Sequence, residues 1–212
     1  MVAVLEPQPV TPRVGPTTWD EFVALPEDDR RELLDGYLLE VEVPTFDHEA
    51  IVALVIFHLY GWARANGARV IGSGYKIKVS PRRGLMPDVQ LYRAGRRPPL
   101  QALVEGAPDL AVEVISPSSG KHDRVTKLNY YRSIGVPEYW LIDPFDRTFA
   151  RFVLVDGNYV IEIFDSEDTV RPNTFAGLEI ALPELWATMA AASDDASDPT
   201  ETTETTAADG ES

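Results

Sequence analysis

The chain has 212 residues, 44% of them hydrophobic, with no Cys and only three His, which suits one folded domain plus an appendage and excludes disulfide scaffolds, thiolate zinc sites and cysteine nucleophiles. Its net charge of −15 counts against a generally basic nucleic-acid binder, although a local basic groove stays open. The longest apolar run, Ala50 to Leu59, carries His58 and falls far short of the roughly 20 residues that span a bilayer, so no membrane partner is expected.

Residues 1–16 form a Pro-studded leader with no apolar core behind a basic start, so no cleavable signal is expected and the protein is assigned to the cytoplasm. Thr17 or Thr18 caps a short helix through Trp19, Phe22 and Leu25, with Asp20 and Glu21 at its positive end. Arg31 to Val43 holds two extended runs around Asp35-Gly36, a hairpin signal. In the second run Leu39, Val41 and Val43 share one face. Asp47 to Ala65 reads as a long helix, apolar nearly all round from Ala50 to Leu59 and therefore buried on most sides; Gly67 ends it.

Strands are expected at Arg69 to Gly72, Tyr75 to Ser80 and Met86 to Tyr92, with loops at Arg82-Arg83-Gly84 and from Arg93 to Leu103. Asp109 to Ile115 is a near-continuous apolar strand of the kind found at the centre of a sheet. A helix from Gly120 to Ile134 places Val125, Leu128, Tyr131 and Ile134 on one side and stops at Gly135 and Pro137. Glu138 to Ile142 returns as a strand. Arg147 to Val155 and Tyr159 to Phe164 form a hairpin around Asp156-Gly157-Asn158, and a last helix begins near Pro183. The order gives an α/β (α+β) fold: a mixed sheet with a helix on each face and an N-terminal hairpin. Residues 17–188 are expected to form the domain. From Ala190 onward there are seven acids and no base, which leaves −8 for the rest, and almost no apolar side chain larger than Ala. Residues 189–212 are therefore expected to be a disordered acidic tail.

Glu113 stands inside Leu110-Ala111-Val112-Glu113-Val114-Ile115, where a lone carboxylate is costly and needs a cation, a metal or a donor network. Asp88, just after Pro87, is a candidate neighbour, and two acids from adjacent strands could share a hard divalent cation. Pairing of Glu113 with a nearby Arg, or capping of a backbone break, is the structural alternative. Asp123 and Lys127 lie four apart on the next helix, with Tyr130 and Tyr131 beside them. A Lys near a metal-bound water can stabilise hydroxide or developing phosphorane charge, whereas an exposed ion pair at that spacing contributes only a few tenths of a kcal/mol.

The run Arg31 to Glu40, Pro87-Asp88, Pro108-Asp109-Leu110 through Glu113 to Ser118, Lys127, and Gly135 to Asp143 together resemble the Uma-type restriction endonucleases of the PD-(D/E)XK superfamily. The resemblance covers roughly Trp19 to Leu185. It implies a restriction-endonuclease-like core with Asp88 and Glu113 as metal carboxylates for Mg²⁺ or Mn²⁺, and Glu32 as an additional acid near the metal. The pattern places a Lys two residues after the second acid. Here that position is Ile115, and Lys127 is the expected substitute.

His48 matches a position where the family often has His, with capping or a hydrogen bond as the plainer reading; His58 reads as a core or interface residue. Ser116-Pro117-Ser118-Ser119 looks like a turn, since no His-Asp partner for a nucleophilic serine is evident. Lys76, Lys78, Arg82, Arg83, Arg93, Arg96 and Arg97 cluster around the Asp88 strand, lining a groove for nucleic-acid backbone or solvating a sheet edge. Two readings follow. One is a metal-dependent endonuclease acting on nucleic acid, DNA in the first instance. The other is a homodimeric binding or assembly protein, weak or inactive in catalysis, using the apolar helix.

Overall fold

The computed structural model describes residues 15–26, 28–40, 43–116 and 121–194. Helix α1 (Trp19–Val23) opens with a reciprocal capping box: the Thr18 side chain accepts from the Glu21 N–H, and the Glu21 carboxylate accepts from the Thr18 N–H. Strands β1 (Glu32–Leu34) and β2 (Tyr37–Leu39) form the expected hairpin. Asp35 and Gly36 take φ of 50° and 81°, as a two-residue turn between right-twisted strands requires. The second strand is shorter than its alternation predicts. Leu39 and Val43 are exposed, and 41–42 fall outside the described residues.

Helix α2 (Phe46–Asn66) is capped by Thr45 and ends at Gly67, which adopts φ 66°. It buries Ile51, Val52, Val55, Leu59 and Ala63 and leaves Phe46, Phe57 and Tyr60 exposed. Strands β3 (Arg69–Gly72), β4 (Lys76–Ser80), β5 (Arg83–Leu85), β6 (Val89–Tyr92), β7 (Ala102–Leu103) and β8 (Leu110–Val114) follow. Residues 83–84 of the predicted loop at 82–84 open β5, and the predicted loop after Arg93 contains β7. Gly84 explains the first difference. It pairs with Leu33 beneath α1, where a Cβ would stand 2.7 Å from both the Phe22 and Trp19 rings, so this glycine marks close packing and not a turn.

Helix α3 (Lys121–Ser133) crosses from β8 to β9 (Glu138–Asp143), and β8 and β9 pair in parallel. The hairpin β10 (Thr148–Val155) and β11 (Asn158–Phe164), the short strands β12 (Thr169–Val170) and β13 (Ile180–Ala181), and helix α4 (Leu182–Asp194) complete the chain. Helix α4 runs past residue 188 to Asp194 and buries Leu185 and Trp186. The expected acidic tail from 195 onward, and the leader up to residue 14, lie outside the described residues.

The strands divide between two main sheets. One has the order β11-β10-β9-β8-β6-β3, the other β2-β1-β5-β4-β7; β11 is therefore an edge strand, and it exposes Val160, Ile161 and Ile163. Leu110, Val112 and Val114 pack with α2 and α4 in the larger core, whereas Ala111 packs with Tyr131 of α3 and with Tyr139. Strand alternation puts Glu113 on the Ala111 side, facing α3. The chain passes from the second sheet to the first through Met86-Pro87-Asp88, and the candidate site forms at that seam.

Candidate active site

Asp88 precedes β6, whose Val89 stands opposite Val112 of β8. One further step of the antiparallel register sets Asp88 opposite Glu113, on the same face. The backbone ladder ends at Pro87, which has no N–H to donate, and beyond its end the Val114 N–H donates to the Asp88 Oδ2 at 2.8 Å. His48, buried in the first turn of α2, holds its Nε2 3.4 Å from the same oxygen. Burial pulls the His48 pKa down, but Asp88 and Glu49 raise it by more, and the net shift is upward.

Glu113 is buried and accepts a short hydrogen bond from the Tyr131 hydroxyl. Its other oxygen lies 3.3 Å from the Lys127 Nζ. The same ammonium lies 3.0 Å from Glu32, and the second Glu32 oxygen accepts from the Met86 N–H at 3.0 Å. Lys127 thus joins an acid from each sheet to a helix. Ile115, at the position where the resemblance expects a Lys, is buried and donates its N–H to the Ile142 carbonyl, so it belongs to the ladder. Burial pushes the Glu113 carboxyl up; Lys127 and Tyr131 pull it down while Asp88 and Glu32 raise it further, leaving it at about 8. Lys127 bridges Glu32 and Glu113 while Asp88 sits against His48, so three buried or half-buried acids meet around one ammonium and one imidazole, a density of ionisable groups unusual in a core.

Among the described residues no three His, Asp or Glu side chains form a ready-made metal cage. The donors nevertheless suit a hard divalent cation, which is commonly held by one or two carboxylates with water and substrate filling the remaining positions. Asp88 and Glu113 supply oxygen, and ionising Glu113 carries a cost that a cation would remove. The buried Tyr139 hydroxyl, coupled electrostatically to both acids, has no hydrogen-bond partner among the described residues.

Of the residues singled out from sequence, Asp88, Glu113, Lys127 and Glu32 come together and His48 joins them. The Asp123 side chain and residues 117–119 of the expected turn fall outside the described residues. His58 lies apart, 3.5 Å from Glu184. The basic set does not gather into one groove. Lys76 is buried and donates to the Phe22 carbonyl, Lys78 lies over Trp19, and Arg82 binds the carbonyls of Gly15, Pro16 and Thr17. Arg93 and Arg96 are held by Thr174 and Asp109. Arg83 stays near the site, paired with Asp35 and stacked on Tyr130 of α3. The sequence places Tyr131 on the packing face of the helix and beside Lys127, four residues on, and its bond to Glu113 is the role that the sequence reading does not supply.

A mixed sheet with helices on its faces and acids meeting at adjoining strand ends defines a restriction-endonuclease-like fold. The chain belongs to the Uma2 family, described as "Putative restriction endonuclease", whose model matches residues 19–183. Among solved structures it is similar to a protein from Anabaena variabilis titled a "putative nuclease belonging to DUF820", at 21% identity and a TM-score of 0.69, over 82% of this chain and 99% of that one. No curated protein matches.

Proposed function

We propose that this protein is a metal-dependent endonuclease that hydrolyses phosphodiester bonds in nucleic acid, DNA in the first instance, with Asp88 and Glu113 as ligands for Mg²⁺ or Mn²⁺. The observation that carries this reading is the acid cluster at the seam: Glu113 and Glu32 share the Lys127 ammonium, and Asp88 stands opposite Glu113 across the strand pair. A divalent cation bound there would polarise the phosphoryl oxygen and lower the pKa of an attacking water.

The chain's own groups do the rest. Tyr131 donates to Glu113 and fixes its orientation, leaving one oxygen directed toward Lys127. Glu32, anchored by the Met86 N–H, holds the Lys127 ammonium beside Glu113. There the ammonium can orient a water and stabilise negative charge developing on the phosphoryl oxygens. His48 steadies Asp88. No helix among the described residues is long and apolar enough to cross a membrane, and a nucleic-acid substrate fits the cytoplasmic assignment. Self-association belongs to the same reading, because α2 leaves aromatic side chains in solvent.

Calorimetric titration of Mn²⁺ into the wild type and Asp88→Ala, together with nicking of supercoiled plasmid, tests the proposal. The wild type should bind and cleave, and Asp88→Ala should do neither. Lys127→Ala should keep its metal affinity and lose cleavage by about 100-fold or more. A wild type that neither takes up Mn²⁺ nor cuts DNA or RNA would refute the assignment.

A further inference from the structure

Helix α2 carries a second pattern, on the side away from the core. Phe46, Ala50, Ala53, Phe57, Tyr60 and Arg64 recur at intervals of four and three, which keeps them on one narrow stripe at the spacing of a coiled-coil seam. Phe46, Phe57 and Tyr60 are 72%, 70% and 56% exposed. The stripe is also graded by size and by charge. Between residues 50 and 60 it passes from the small Ala50 and Ala53 to the large Phe57 and Tyr60, and it is bounded at its N-terminal end by Phe46 with the acids Asp47 and Glu49 and at its C-terminal end by Arg64.

We propose that the occupant of this stripe is the same helix of a second copy, packed antiparallel about a two-fold axis that passes near residue 55. In that register Ala53 meets the other copy's Phe57, Ala50 meets its Tyr60, and Phe46 meets its Arg64. Every layer sets a large group against a small one or a cation against a ring, and Glu49 comes within a turn of the opposing Arg64. A parallel pair would instead stack Phe57 on Phe57, leave gaps at both alanines and set Asp47 and Glu49 against their own copies. The antiparallel arrangement is isologous and closes at two chains. The three aromatics offer about 400 Å² per copy, at the low end for a specific interface, so the dimer should dissociate in the micromolar range. This inference rests on the self-association part of the preceding reading and is independent of its catalytic part.

Sedimentation velocity of the full chain in EDTA tests it without reference to metal or cleavage. The mass should rise from one chain to two across micromolar concentrations. Phe57→Asp should remain monomeric with an unchanged far-UV spectrum and melting temperature, since Phe57 is exposed and outside the core. Orientation is read by disulfide trapping, which is clean because the chain has no Cys. An equimolar mixture of Ala50→Cys and Tyr60→Cys proteins should yield mainly the mixed disulfide. A chain monomeric at every concentration, a Phe57→Asp dimer as tight as the wild type, or predominant Ala50→Cys homodisulfide would overturn the proposal. The first of these would leave the stripe to a different kind of partner.

Discussion

Glu113 in β8 and Glu138 in β9 sit on adjacent parallel strands, both in apolar surroundings, yet on opposite faces of the sheet and in opposite states of compensation. Glu138 is fully buried and meets Arg151 through both oxygens, at 2.7 and 3.1 Å. It also accepts from the Trp140 indole N–H and the Thr174 hydroxyl. A planar guanidinium donates two parallel bonds and leaves little of the carboxylate unsatisfied. Among the described residues Glu113 has one Tyr donor and one ammonium that it shares with Glu32. Strand position does not separate structural from chemical acids. The number of donors and the local sum of charge do.

If that distinction holds, the largest loss of stability should come from the compensated side. Arg151→Met leaves Glu138 buried without its partner and should cost about 3–5 kcal/mol in denaturant unfolding, with cleavage per folded molecule unchanged. A cost below about 1 kcal/mol would mean that Glu138 finds other donors or protonates readily.

Next in size is Asp88, whose side chain substitutes for a strand partner. Asp88→Ala orphans the Val114 N–H and should cost about 1–3 kcal/mol. Asp88→Asn keeps an acceptor and should recover most of that loss while remaining inactive. Equal stability of the two variants would show that the Val114 bond contributes little.

At Glu113 the effect should be near zero or reversed. Its folded pKa lies above the ordinary 4.5 of a free Glu, at about 8, so between those values the folded state binds more protons than the unfolded one and stability falls as pH rises. The charged and titratable groups facing it are Lys127, Asp88, Glu32, Tyr131 and Tyr139. Glu113→Gln should remove this slope and gain on the wild type from pH 5 toward pH 8 in metal-free buffer, while losing metal binding and cleavage. Parallel pH profiles of the two proteins would contradict the raised pKa. A loss of about 1 kcal/mol at pH 7 is expected for Tyr131→Phe. Deleting that donor should move the slope further up in pH, and an unmoved profile would assign Tyr131 to packing alone.

Much of this was legible in the sequence, and the gaps have physical causes. Asp35-Gly36 and Asp156-Gly157 announced their hairpins because those turns need positive φ, which both pairs adopt. Glu113 stood out because apolar residues flank it on both sides. Glu138 did not, because it follows Pro137 at the start of a strand and reads as a boundary residue. The second sheet was hidden for a similar reason: β5 is Arg83-Gly84-Leu85, and its glycine mimics a turn until the aromatic rings above it are known. The continuous apolar run of α2 concealed which side faces the core, since a helix that is apolar all round carries no directional signal. Lys127 could be placed on a helix, but its reach to two sheets depends on tertiary distance.

Strand β11 carries a consequence of another kind. Among the described residues it closes the larger sheet with an unpaired edge and exposes Val160, Ile161 and Ile163, the kind of surface onto which another chain can add strand by strand. The gatekeepers are the half-exposed Glu162 at its middle and the −15 net charge that makes molecules repel at neutral pH. Both are carboxylate-borne. On acidification toward the isoelectric point the repulsion vanishes while the edge stays open, so colloidal stability should fail before the fold does, as turbidity that appears while the circular dichroism spectrum is still native.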